Sequence, residues 1–157
     1  AILFAVASLG ASSAHADDLP LLALGVGAFD FDHLHPATEF RAEYRFAQGL
    51  FFIHPMLGAF VTTDSTVYAY GGFLADFVFF DHYVLMPSAA VGYYHQGNSA
   101  KNLGSRLEFK TGAEFAYRFD TGMRLGIAFD HISNAGLTRV NPGTEELLLV
   151  LSLPLPW

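Results

Sequence analysis

Along much of this chain hydrophobic and polar residues alternate with the period of two that an extended strand imposes. In TEFRAEYRF, residues 38–46, Thr38, Phe40, Ala42, Tyr44 and Phe46 fall on one face, and Glu39, Arg41, Glu43 and Arg45 on the other. LEFKTGAEFAYRF, residues 107–119, repeats the pattern. There Leu107, Phe109, Ala113, Phe115, Tyr117 and Phe119 oppose Glu108, Lys110, Glu114 and Arg118. Past the N-terminal stretch nothing reads as a long amphipathic helix. Turn residues divide the chain into eight candidate strands, at about 21–31, 37–46, 50–62, 66–79, 82–94, 106–119, 122–132 and 145–155.

The connections differ by end. Ala47-Gln48-Gly49, Phe80-Asp81 and Asp120-Thr121-Gly122 are short, whereas the stretches around 31–36, 63–65, 95–105 and 133–144 are mostly longer and more polar. Short turns at one end, longer loops at the other and an even strand count predict an all-β fold, an eight-stranded antiparallel transmembrane β-barrel of the outer membrane. Alternation alone does not say which face is inside, because a soluble barrel would turn its apolar face inward. Three features favour the membrane. An eight-stranded barrel has a narrow interior that this many aromatic rings would overfill, surface charge is scarce, and the polar faces carry both signs in near balance, as an ion-paired lumen requires. The strand at 66–79 is apolar on both faces.

Composition narrows the class further. Sixteen Phe, seven Tyr and a formal net charge of −7 argue against a disordered or nucleic-acid-binding chain. The absence of cysteine excludes a disulfide framework and thiolate chemistry. AILFAVASLGASSAHA, residues 1–16, joins an apolar run to small residues ending in Ala14-His15-Ala16 and reads as a secretory signal peptide with a truncated n-region. That run is too short for a spanning helix, which needs about 20 residues. Residues 17–157 are then expected to form a single barrel domain.

FDHISNAGLTRVNPGTEELLLVL, residues 129–151, carries the candidate chemistry. Leu125, Ile127, Phe129, His131 and Ser133 share one face of the seventh strand, and the bulky apolar members mark it as lipid-facing. In the eighth strand Glu145 is in phase with Leu147, Leu149, Leu151, Leu153, Leu155 and Trp157, whereas Glu146 is in phase with Leu148, Val150 and Ser152 toward the lumen. Two strand steps set His131 and Ser133 about 7 Å apart, and the connecting loop can bring Glu145 beside His131. A serine, a base and a carboxylate that orients the base make a hydrolytic triad. A cluster of polar residues at a barrel rim would present the same three side chains. With the chain entering from the periplasm, these residues lie at the outer leaflet.

HISNAGL, followed by Asn141, Gly143, Glu145 and a terminal apolar strand, resembles the C-terminal signature of the outer-membrane lipid A 3-O-deacylase family, PagL-type. NLGSRLEF, residues 102–109, is similar to the family's segment leading into the sixth strand. The likeness is strong over 102–157 and architectural before that. Ile132 departs from it, standing where an aromatic is often found. The resemblance implies catalysis by His131, Ser133 and Glu145, with Asn134, Gly136 and Asn141 holding the oxyanion or supporting the loop. It also implies a lipid A or lipopolysaccharide substrate surrounded by outer-membrane lipid, release of a 3-hydroxy fatty acid at the outer leaflet, and no metal or other cofactor.

Of the basic residues, Arg41, Arg45, Lys110, Arg118 and Arg124 fall on lumen faces, leaving Lys101, Arg106 and Arg139 in or beside outer loops as candidate contacts to substrate phosphates. Asp30, Asp32, His33 and His35 in FDFDHLHP offer cation ligands, but polar loop residues account for them more simply. His54, His82 and His95 are scattered. A non-catalytic small barrel serving adhesion or envelope structure, or another outer-membrane acyl hydrolase or transferase, remains the competing reading. A homodimer is left open.

Overall fold

The computed structural model describes residues 19–32 and 36–156; the leader read at 1–16, together with His33, His35 and Trp157, lies outside them. The strand segments are β1 (Leu21–Phe29), β2 (Ala37–Arg45), β3 (Ile53–Thr62), β4 (Val67–Ala75), β5 (Phe77–Phe79), β6 (Tyr83–His95), β7 (Leu107–Arg118), β8 (Arg124–Ser133) and β9 (Thr144–Pro154). β4 and β5 are two pieces of one barrel strand, since both pair with β6 in a single register interrupted at Asp76. Every neighbouring pair is antiparallel, and β1 pairs with β9, so eight strands close into a barrel with no free edge. Closure pairs the backbone of every strand internally, as a strand needs in a bilayer where no water can satisfy it.

The alternation sorts side chains as an inverted protein. Leu24, Phe40, Leu57, Phe73, Phe115 and Ile127 point outward and are each more than two-fifths exposed. Glu39, Arg41, Glu43, Arg45, Lys110, Glu114, Arg124, Asp130 and Glu146 point inward and are buried. Those buried charges are tolerable because they pair. Arg45 bonds Glu43 at 2.8 Å and Glu114 at 2.6 Å, Lys110 bonds Asp130 at 3.2 Å, and Arg124 grips Asp76 at 3.0 and 2.9 Å. Toward the end bearing the loops the lumen fill turns aromatic: Phe29, Phe60, Tyr68, Tyr70 and Tyr94 pack with Leu103 and Ile132. The two layers meet where Lys110 Nζ sits 4.8 Å above the Tyr70 ring, a cation–π contact.

Several boundaries differ from the sequence expectation. The strand expected from 50 begins at Ile53, because Leu50 and Ile53 exchange backbone bonds of 2.9 and 3.0 Å around a turn in which Phe51 has φ 58°. The strand at 66–79 is broken at Asp76, where the carboxylate pairs with Arg124. Its two apolar faces resolve into Tyr68, Tyr70 and Leu74 inside and Val67 and Phe73 outside. Arg118 sits at the turn end, half-buried, and donates to the Asp81 carbonyl at 2.9 Å instead of entering the ion-pair network.

Candidate active site

β8 and β9 are direct neighbours, and their ladder sets His131 opposite Glu145 and Asp130 opposite Glu146. Period-two geometry then sends the first pair outward and the second into the lumen. His131 Nδ1 lies 3.0 Å from Glu145 Oε1, with the two side chains 41% and 29% exposed. A carboxylate can only accept, so Nδ1 carries the proton and Nε2 is left to act as a base. Ser133 follows two residues later on the same face, at the end of β8 and opposite Phe109 of β7. Below the pair on the outer wall lie Phe129 and Leu147, themselves cross-strand partners, and Phe31 of the first loop packs edge-on against Phe129 at 5.9 Å. The polar pair therefore sits directly above apolar surface.

The loop after β8 is built around Asn134, which is fully buried. Its Nδ2 donates to the carbonyls of Leu103 and Val140 at 2.8 and 2.7 Å and to Thr138 Oγ1 at 2.9 Å, and its Oδ1 accepts from Gly136 N at 3.0 Å. Leu137 N closes the turn on the Asn134 carbonyl at 3.0 Å, with Ala135 and Gly136 both at positive φ (53° and 79°). That is a type I′ turn, for which glycine at the third position suits the left-handed backbone. The Asn134 amide donates to Asn141 Oδ1 at 3.0 Å. This bond turns the Asn141 amide nitrogen away from Asn134 and leaves it as a donor. Of the two roles expected for Asn134 and Gly136, these bonds engage both in supporting the loop: the backbone amides of Asn134 and Gly136 are occupied within it.

Three further contacts shape the site without having been read as roles in the sequence. Gly143 has φ 66°, and a Cβ there would come within 2.6 Å of His131 Cε1 and 3.2 Å of Nε2, so the backbone lies against the edge of the imidazole. Asp30 of the first loop donates its N–H to the Glu145 carbonyl at 2.9 Å and accepts from Thr144 Oγ1 at 3.0 Å. Asp30 also pairs with Lys101 at 2.7 Å. The Lys101 side chain is only 9% exposed and its ammonium neutralises a loop aspartate, while Arg106 and Arg139 remain exposed. The same pair engages Asp30, one of the candidate cation ligands, in holding loops together. The sign of Gly143 was present as a glycine two residues before Glu145; the Asp30 contacts with Thr144 and Glu145 join positions over a hundred residues apart and left no local trace.

A family model described as lipid A 3-O-deacylase (PagL) matches residues 39–154. No individually curated protein matches the chain by sequence. Among solved structures, the chain is similar to the crystal structure of the outer membrane enzyme PagL. The two are 20% identical with a TM-score of 0.65, and the match covers 86% of this chain and 99% of that one. A de novo designed transmembrane β-barrel aligns with a TM-score of 0.62 at 9% identity, covering 88% of this chain and 96% of the design. The outer membrane protein Ail of Yersinia pestis aligns at 0.50 and 12%, covering 85% and 99%. The designed barrel shares the architecture and almost none of the sequence, so the likeness of shape speaks for the fold alone.

Proposed function

Because the chain belongs to the lipid A 3-O-deacylase family, we propose that it is a serine esterase that hydrolyses the ester holding the 3-position acyl chain of lipid A, working at the outer leaflet of the outer membrane. The observation that carries this reading is the half-exposed His131–Glu145 pair, with Nδ1 and Oε1 3.0 Å apart, on the outward face of β8 and β9 beside Ser133. A substrate whose ester lies at the membrane surface and whose chains run down beside the barrel meets its nucleophile there.

In this mechanism His131 Nε2 takes the Ser133 hydroxyl proton as Oγ attacks the acyl carbonyl carbon. Glu145 holds the imidazole in the productive tautomer and stabilises its cation. The tetrahedral oxyanion is held by the Asn141 amide nitrogen and the Ala135 N–H, donors of a kind worth about 3 to 4 kcal/mol each in proteases. Collapse expels the sugar 3-oxygen, which leaves with the proton from His131. Water, deprotonated by the same imidazole, then cleaves the acyl-enzyme and releases the 3-hydroxy fatty acid. Arg106 and Arg139 are exposed on the loops, and that exposure supports them as the cations that meet lipid A phosphates.

Mass spectrometry of lipid A from a host with and without the gene tests the reading. Loss of one 3-hydroxyacyl chain is expected. Gain of a chain or cleaved phospholipid would indicate another acyl transferase or hydrolase, and unchanged lipid A a non-catalytic barrel.

A further inference from the structure

One rung behind the His131–Glu145 pair, on the lumen side of the same two strands, Asp130 of β8 faces Glu146 of β9. Both are buried, at 2% and 0% exposure. Like charges directly across a ladder repel, and burial removes the water that would screen them. Left alone, this repulsion pushes β8 and β9 apart beside the rung on which an imidazole and a carboxylate must stay 3.0 Å apart. Arg41, from β2, converts it into a bridge. Its Nη1 bonds Asp130 Oδ2 at 2.5 Å, its Nη2 bonds Glu146 Oε2 at 2.5 Å, and its Nε bonds Glu39 Oε1 at 2.8 Å. Among the described residues Arg41 is the cation bonded to Glu146.

We propose that Arg41 is a positioning residue for the reaction: by spanning Asp130 and Glu146 inside the barrel, it holds the β8–β9 rung that keeps the Glu145 carboxylate on His131 outside it. The inference rests on the hydrolase reading of the outward face. Arg45 supplies an internal control. It is equally buried at 8%, lies on the same face of β2, and bonds Glu43, Glu114 and Ser152, on β2, β7 and β9. Removing either arginine strands buried carboxylates, but only Arg41 bridges the two strands that carry the site.

The test compares Arg41→Met, Arg41→Lys and Arg45→Met as folded, heat-modifiable barrels in detergent micelles containing lipid A. It also follows the low-field NMR resonance of the His131 Nδ1 proton. Arg41→Met is expected to lower kcat on the order of 100-fold with little change in KM, the scale of an ångström-sized misplacement of catalytic groups. The Nδ1 resonance is lost with it. Arg45→Met keeps both the resonance and kcat. Adding Glu146→Gln to Arg41→Met removes the repulsion and restores most of the rate. Arg41→Lys preserves the charge and so the fold, but a single ammonium lacks the two-pronged reach of guanidinium, and kcat falls about tenfold. Equal losses in the Arg41 and Arg45 variants, or a folded Arg41→Lys barrel with wild-type kcat and resonance, overturns the inference. A wild-type protein that leaves lipid A intact while its Nδ1 resonance still depends on Arg41 overturns the functional reading and leaves the bridge standing.

Discussion

His131–Glu145 and Asp130–Glu146 are consecutive rungs of one ladder, set on opposite sides of the same two strands. The inner pair is sealed from solvent, shares Arg41 with Glu39, and has Lys110 bonded to its Asp130. The outer pair holds a single mutual bond and stays partly exposed, at 41% and 29%. The inner arrangement answers a structural demand, because a buried charge without partners would unfold the barrel. The outer one answers none: a barrel wall facing lipid is most stable with leucine in both places. Polar groups that no packing requirement explains, beside a serine, are the better evidence for chemistry.

That contrast can be broken by substitution. Ser133→Ala or His131→Ala should lower lipid A deacylation by about 10⁴-fold or more, as for other Ser–His hydrolases. Heat-modifiable migration on gels should stay normal, because neither side chain belongs to the lumen network. Glu145→Ala should cost about 10³-fold. Glu146→Ala should do the opposite: kcat falls less than about tenfold in folded barrels, while unfolding free energy drops by about 3 kcal/mol as Arg41 loses a buried partner. An inactive Glu146→Ala barrel beside an active Glu145→Ala barrel would show that the eighth barrel strand is out of register by one residue.

Gly143→Ala sharpens the comparison from the loop side. The added methyl must displace the imidazole and also strain a φ of 66°, and a loss of roughly 10- to 100-fold in kcat is expected. A small ester assayed in parallel should lose as much, since the defect lies in the imidazole. The smallest effect belongs to Arg106→Gln with Arg139→Gln, which should raise KM for bisphosphorylated lipid A about fivefold, roughly 1 kcal/mol, and leave a small ester unaffected. Equal losses on both substrates would remove these arginines from phosphate binding.

Which features were legible in the sequence follows from their range. The strands and the phase separating Glu145 from Glu146 depend on neighbours two residues apart, and TEFRAEYRF or EELLLVLSL displays them directly; the barrel followed from the even strand count and the alternating loop lengths. Two of the three inward partners of Arg41 lie 89 and 105 residues away, so the face could be read but that pairing could not. Asp76 ends a strand segment because of a partner 48 residues on, which no local pattern announces. Lys101 looked free for phosphate because Asp30, its partner, belongs to another loop. Asn134 carried two readings, oxyanion donor or loop support, for a different reason. In a polar loop its carboxamide could face either way, and only the surrounding carbonyls of Leu103 and Val140 decide that it is a buried hub.

A lumen packed with ion pairs at one level and aromatic rings at the other makes this barrel a post, not a pore. On the proposed function, any lipid that reaches Ser133 must arrive sideways, travelling within the sheet of molecules that surrounds the wall, and both products depart the same way. Encounter is then a two-dimensional event. The quantity that sets the rate is the fraction of neighbouring molecules that are substrate, so diluting the film with inert lipid should slow turnover, while enlarging the volume of buffer above it should not.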